Sequence, residues 1–124
     1  MHEVTERIKD LAEYFEEHAP ESDQLGRLSD GEAQKLREAG VIRLLQPREF
    51  GGHEAHPADF FDAVIEVGTH SGPAGRIAGV VGVHPFEFGQ LDRKVQEEIW
   101  GEDPDTWVAS PYAPIGRARP VEGG

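Results

Sequence analysis

The sequence predicts an all-α fold, about five helices over residues 1–106, followed by an extended segment over 107–124. Three observations carry this. Apolar residues recur at three- and four-residue steps through the first hundred positions. Helix start and stop signals fall between the periodic stretches. Strand-like composition appears only after "GEDPD", in "WVAS", and the remaining "PYAPIGRARPVEGG" is too rich in Pro and Gly to be helical.

In the first helix Val4, Ile8, Leu11 and Phe15 form one apolar stripe, and the helix is expected to stop before Pro20. "SDGE" offers a capping box with Ser29 as N-cap and Glu32 three positions on, opening a second helix that runs to about Ala39. Gly40 stands where a left-handed residue ends a helix, with Val41 placed to close onto Leu36. "RLLQPREFGG" has no helical period and reads as an apolar connector and turn. Pro57 suits the first position of a third helix, with Asp59 in its first turn and Phe60, Phe61, Val64 and Val67 expected on its buried face; it fades near Gly68 to His70. From Pro73 to about Phe88 hardly any polar face remains, so this fourth helix is expected at the centre. Asp92 caps a fifth, carrying Val95 and Ile99 and ending at Gly101. The last residues read as the start of a β region whose partner strands are missing.

Composition narrows the function classes. The length of 124 residues is that of one ordinary domain. Twelve basic against 24 acidic residues give a net charge of −12, a field that repels nucleic-acid phosphates and anionic lipid, so neither partner is expected. The absence of cysteine excludes disulfides, thiolate metal sites and thiol nucleophiles and suits a reducing cytoplasm. "MHEVTERIKD" has no apolar signal core, so a cytoplasmic location is the expectation.

One ionisable ring interrupts the fourth helix. Ile77, Val81, His84 and Phe88 share a stripe, and Pro85 cannot donate to the carbonyl of Val81. Gly72, Gly75, Gly79 and Gly82 leave room for another helix, or a flat ligand, to approach the backbone. Two readings stay open: a ligand-binding histidine, or a core histidine satisfied by a neighbouring carbonyl with the glycines serving helix packing. His53, Glu54 and His56 follow a Gly-Gly turn without a further ligand, so no metal is expected. Ser71 reads as the N-cap of the central helix, Ser110 lacks a nucleophile elbow, and "GPAGRIAG" has no phosphate-binding spacing.

The order "LREAGVIRLLQPREFGG", "GVVGVH" and "IWGEDPDTWVASPYAPIGRARPVEGG" resembles the N-terminal region of the acyl-CoA dehydrogenase superfamily. The last of these motifs is more specific to its two-component flavin-dependent monooxygenase branch, which includes the 3-hydroxy-secoandrostane-dione and 4-hydroxyphenylacetate hydroxylases. The resemblance covers residues 26–124. It implies a compact N-terminal helical domain of acyl-CoA dehydrogenase type whose tail would start a β-barrel domain absent from this chain. It further implies a hydroxylase using reduced flavin (FMN or FAD) and O2, a separate flavin reductase, an aromatic small-molecule substrate hydroxylated ortho to its phenolic hydroxyl, and a homotetramer.

Carried over position by position, His84 matches the histidine near the aromatic substrate, and Ser110 the serine near substrate and flavin. Tyr112 and Ala113 match the strand end passing the flavin edge. Arg76 stands where relatives carry tryptophan and Pro111 where they carry a second serine, which leaves the substrate open. Because most flavin contacts belong to other domains of such enzymes, the 124 residues alone are not expected to be active or to hold flavin tightly. An acyl-CoA dehydrogenase and a non-catalytic helical docking module are the competing readings. The polar His84 favours a phenol over a thioester.

Overall fold

In the computed structural model, which describes all 124 residues, six α-helices and two short 3-10 turns pack around one core, and no strand forms. The helices are α1 (Glu3–Asp10), α2 (Ala12–Leu25), α3 (Asp30–Ala39), α4 (Pro57–His70), α5 (Gly72–Phe88) and α6 (Arg93–Trp100). The core gathers Val4, Ile8, Phe15, Leu36, Leu44, Phe60 and Val67 around the small face of α5, where Ala74 and Ala78 are fully covered. No helix is long and apolar enough to cross a membrane.

The expected first helix is two. Leu11 leaves helical geometry between α1 and α2, and α2 then runs through Pro20 to the left-handed Gly26 instead of stopping before the proline. Pro20 removes one helical hydrogen bond, but both Pro20 and Glu16, whose carbonyl loses its partner, face solvent, so water takes over that acceptor. The α3 boundaries are as expected: Ser29 accepts from the Glu32 N–H, and Gly40, at φ 89°, donates to the carbonyls of Leu36 and Arg37.

The capping box itself is only half formed. Glu32 does not reach back to the Ser29 N–H, which donates instead to the Ser22 hydroxyl at 2.9 Å. The Glu32 side chain, fully buried, accepts from Ser22 Oγ and Ser71 Oγ, each at 2.9 Å. Ser71 is also the N-cap of α5, accepting from Ala74 N–H. One carboxylate thus ties α2, α3 and α5 together where the first turns of α3 and α5 present their positive ends.

Helix α4 begins at Pro57 and ends at His70 as its signals indicate, but Phe61 is not on its buried face: it is 57% exposed. The inward positions are Phe60, Ala63 and Val67, with Val64 partly covered, a three-and-four spacing that leaves Phe61 a quarter-turn outside. Helix α5 crosses α4 closely. A Cβ on Gly75 would lie 2.5 Å from the Gly68 Cα, and one on Gly82 would lie 2.6 Å from the Phe60 ring. Two of the four glycines therefore serve helix packing. Helix α5 is not covered all round, since Val80 and Phe86 are each nearly half exposed.

On α6 the expected inward pair is also displaced. Val95 is exposed and Ile99 half-buried, whereas Gln96 and Trp100 face in. Trp100 buries the larger apolar body against Phe50, and Gln96 Nε2 satisfies the carbonyls of Gly89 and Leu91 in the turn from α5.

Candidate functional site

The tail leaves the helical body from a fixed point. Buried Gln46, in the connector, donates to the carbonyls of Phe50 (2.7 Å) and Pro104 (2.9 Å); Trp100 Nε1 donates to Thr106 O (3.3 Å). Arg37 donates to the Asp105 carbonyl and lies 4.2 Å over the Trp107 ring, while Arg43 pairs with Asp105 at 3.2 Å. With the start held on both sides, the following residues run across the C-terminal half of α5. From Pro111 onward every residue is exposed.

His84 lies beneath this crossing, 1% exposed, and no backbone carbonyl is within hydrogen-bonding reach of its ring nitrogens. The Nε2 atom is buried without a partner. The Nδ1 atom lies 3.4 Å from the Tyr112 hydroxyl and 3.6 Å from Glu87 Oε1. Tyr112 donates its hydroxyl hydrogen to Glu87 Oε1, and this carboxylate contact holds the phenol pKa above its ordinary value. The His84 ring also meets the Phe88 ring at 6.5 Å and the Tyr112 ring at 5.6 Å between centroids. A buried polar atom without a partner costs free energy that packing alone does not recover, so such atoms call for a reason.

Of the residues singled out in the sequence, the structure brings together His84 and Tyr112. Ser110 is half-buried two positions ahead of Tyr112 and makes no side-chain hydrogen bond; Ala113 is exposed, its carbonyl accepting from Ile115 N–H at 2.9 Å. Glu87 was not anticipated as part of this group. Its spacing of three from His84 on one helix was the available signal.

The largest cavity, about 570 Å³, lies elsewhere, at the start of α5 between Ser22, Arg27, Gly72, Arg76 and Ile77. It does not include His84, which sits eight residues along the helix from Arg76, about 12 Å away. The histidines near the Gly-Gly turn have local structural roles. His56 caps α4 by accepting from Ala58 N–H, and His53 packs edge-on against His2 at 5.2 Å. No three His, Asp or Glu side chains converge as a metal-binding set.

No family model matches the chain. It is 46% identical over 123 residues to a pigment production hydroxylase of Rhodococcus erythropolis, covering 99% of this chain and 31% of the relative. It is 35% identical over 119 residues to HsaA, the oxygenase subunit of a flavin-dependent monooxygenase of Rhodococcus jostii, covering 96% of this chain and again 31% of the relative. The solved 3-HSA hydroxylase of Rhodococcus sp. RHA1 superimposes with a TM-score of 0.93 at 36% identity, over 99% of this chain and 32% of that one. The chain therefore spans about a third of the length of the relatives it matches, their N-terminal part.

Proposed function

We propose that the chain is the N-terminal part of an oxygenase subunit of a two-component flavin-dependent monooxygenase, like the HsaA-type relatives it matches over about a third of their length, and that it forms the helical wall of a phenol hydroxylase site. The observation that carries the reading is His84: a wholly buried imidazole with no internal carbonyl partner, one nitrogen orphaned and the other directed at a phenolic hydroxyl.

The groups around His84 are an imidazole, the Glu87 carboxylate, the Tyr112 phenol and the edge of Phe88. That set fits an aromatic hydroxyl. It offers no cation to a cofactor phosphate, so this chain does not supply a flavin phosphate cradle at His84; Ser110, Tyr112 and Ala113 are positioned in sequence to pass an isoalloxazine edge. When bound, reduced flavin supplies the electrons that activate O2 for insertion into the aromatic ring. The chain's own contribution is to orient the ring. His84 Nδ1 hydrogen-bonds the phenolic oxygen, stabilising the phenolate character that makes the ortho carbon nucleophilic. Ser110 lies beside substrate or flavin, and the apolar stripe of Ile77, Val81 and Phe88 keeps water from the ring.

The same resemblance supports an aromatic compound of a degradative sequence as substrate, a separate flavin reductase as partner, FMN or FAD as the flavin, and a homotetramer. The absence of cysteine supports a cytoplasmic location. The test uses the protein expressed from its intact gene, supplied with enzymatically reduced flavin, O2 and a panel of phenols. An ortho-hydroxylated product is expected, and His84→Ala should lower its formation by roughly 10²- to 10⁴-fold while flavin binding stays within a few-fold. Oxidation of acyl thioesters instead of phenols would contradict the reading.

A further inference from the structure

We infer that the cavity at the start of α5 is a carboxylate subsite, with Arg76 as its principal donor and Arg27 as a second cation, and that it takes the acid group of an aromatic substrate. The identity of the ligand's remainder rests on the hydroxylase reading, whereas the anion site stands on the cavity's own residues.

Acidic residues outnumber basic ones two to one, so a cation in this chain seldom lacks a partner. Every other arginine of the helical body donates to a carboxylate or a carbonyl. Arg76 is exposed, makes no hydrogen bond or ion pair, and lines a cavity of about 570 Å³, the size of a small-molecule site. Arg27, in the loop after α2, also lines it. It commits only Nη1, to the Leu28 carbonyl at 3.0 Å and to Asp30 at 3.1 Å, and keeps its remaining donors free. The Asp30 carboxylate is fully exposed, so that pair is a weak surface contact.

The rest of the lining selects what the arginines meet. Ala19, Leu28 and Ile77 give an apolar floor. Buried Ser22 has no hydrogen to offer, because its hydroxyl donates to Glu32 while accepting from the Ser29 N–H. Polar recognition therefore falls to the guanidinium groups, whose fork matches a carboxylate in two parallel hydrogen bonds. Asp23 is the one acid in the wall, so the charged lining residues leave one net positive charge. A monoanion on a hydrocarbon stem balances that charge and covers the floor; a phosphate dianion meets repulsion from Asp23.

The cavity also begins the face of α5 that carries His84. Steps of seven from Ile77 to His84 and of eleven from Arg76 to Glu87 return to the same side of a helix. Half-exposed Val80 and partly buried Val83 form an apolar track between the two ends. Arg76 and His84 are separated by about 12 Å of helix, a span that a hydroxylated ring with a short acid side chain covers once the guanidinium extends toward it.

The experiment uses the protein expressed from its intact gene and two probes of equal size and different charge, 3-(4-hydroxyphenyl)propanoate and its amide, with binding read by calorimetry. The acid should bind about tenfold more tightly, the worth of one charge-assisted pair. Arg76→Gln should erase that preference, and Arg76→Lys should keep part of it, since lysine retains the charge without the fork. Arg27→Gln should reduce it about two- to threefold. Both arginines are exposed, so the thermal midpoints should stay together. Equal binding of acid and amide, or a preference that survives Arg76→Gln, would overturn the proposal. FMN and riboflavin are titrated in parallel: if Arg76→Gln weakens FMN alone and leaves the preference for the acid intact, the arginines serve a flavin phosphate and the subsite falls. Turnover is scored separately. Hydroxylation of both probes without a charge preference sinks the subsite and spares the hydroxylase reading, while the predicted binding pattern without hydroxylation of either does the reverse.

Discussion

Glu32 and His84 are buried to the same degree, 0% and 1% exposed, at opposite ends of α5, yet their surroundings differ in kind. Both oxygens of Glu32 accept a serine hydroxyl, and those serines are in turn engaged with the backbone N–H groups of Ser29 and Ala74. The polar network closes on itself. His84 has an orphaned Nε2, and its one hydrogen-bond contact is to Tyr112, on an exposed segment of chain at the surface. A closed network rigidifies a fold, whereas a buried group left half-satisfied calls for an explanation beyond its own packing. The contrast teaches that burial alone does not separate structural from functional polar residues. The destination of each hydrogen bond does.

Substitution can break that contrast. Glu32→Ala strands two buried hydroxyls, removes the tie between α2, α3 and α5 and leaves a cavity, and should cost roughly 2–5 kcal/mol in urea unfolding. Glu32→Gln retains an acceptor and should cost less. Near the same end of α5, Gly75→Ala drives a methyl group into the Gly68 backbone, which has nowhere to go, for about 1–3 kcal/mol. Gly82→Ala meets the Phe60 ring edge instead, which turns aside more easily, so its loss should be the smaller of the two. At the other end, His84→Phe replaces an under-satisfied ring by an apolar one of similar shape and should shift stability by less than about 1 kcal/mol in either direction. A loss at His84 as large as that at Glu32 would erase the distinction.

The smallest expected effect is a pH dependence set at the surface. His70 is held above its ordinary pKa by the hydrogen bonds its ring donates to the Glu16 and Glu66 carboxylates, so its contribution to stability is complete below about pH 6.5 and is lost as pH rises through the higher folded value. His53 is shifted the other way, chiefly by burial. The folded state then binds fewer protons there than the unfolded chain, and stability falls as pH drops through about 6.5. His70→Gln should remove the decline above neutrality and leave the acid-side decline, a difference readable as the change in unfolding midpoint with pH.

Much of the fold was legible because its signals are local. Ser29, Gly40, Pro57, Ser71 and Asp92 mark helix ends by chemistry that acts within one turn, and each stands at a helix boundary in the structure. The errors fall where the outcome depends on what lies beyond the turn. Pro20 continues its helix because the carbonyl it orphans is wet, and Phe61 is outside because Phe60 fills the space over Gly82. Gln96 displaces Val95 from the interior because two loop carbonyls need a donor. For the site, the position of His84 on the apolar stripe was readable, as was the match of Ser110, Tyr112 and Ala113 to a family motif. The partnership of Glu87 with Tyr112, 25 residues apart in the chain, was not, because it depends on the Trp107 anchor that aims the tail over α5. The network joining Glu32 to Ser71 was hidden in the same way, since the capping-box spacing already accounted for Glu32.

The most direct test of whether His84 is kept for an aromatic substrate rather than for the fold is the yield of hydroxylated phenol per O2 consumed by His84→Phe, measured on the protein from its intact gene alongside its thermal midpoint. The account predicts a midpoint within a few degrees of the unsubstituted protein and a product yield that collapses while oxygen is still consumed. A variant that melts early yet couples oxygen to product normally would contradict it.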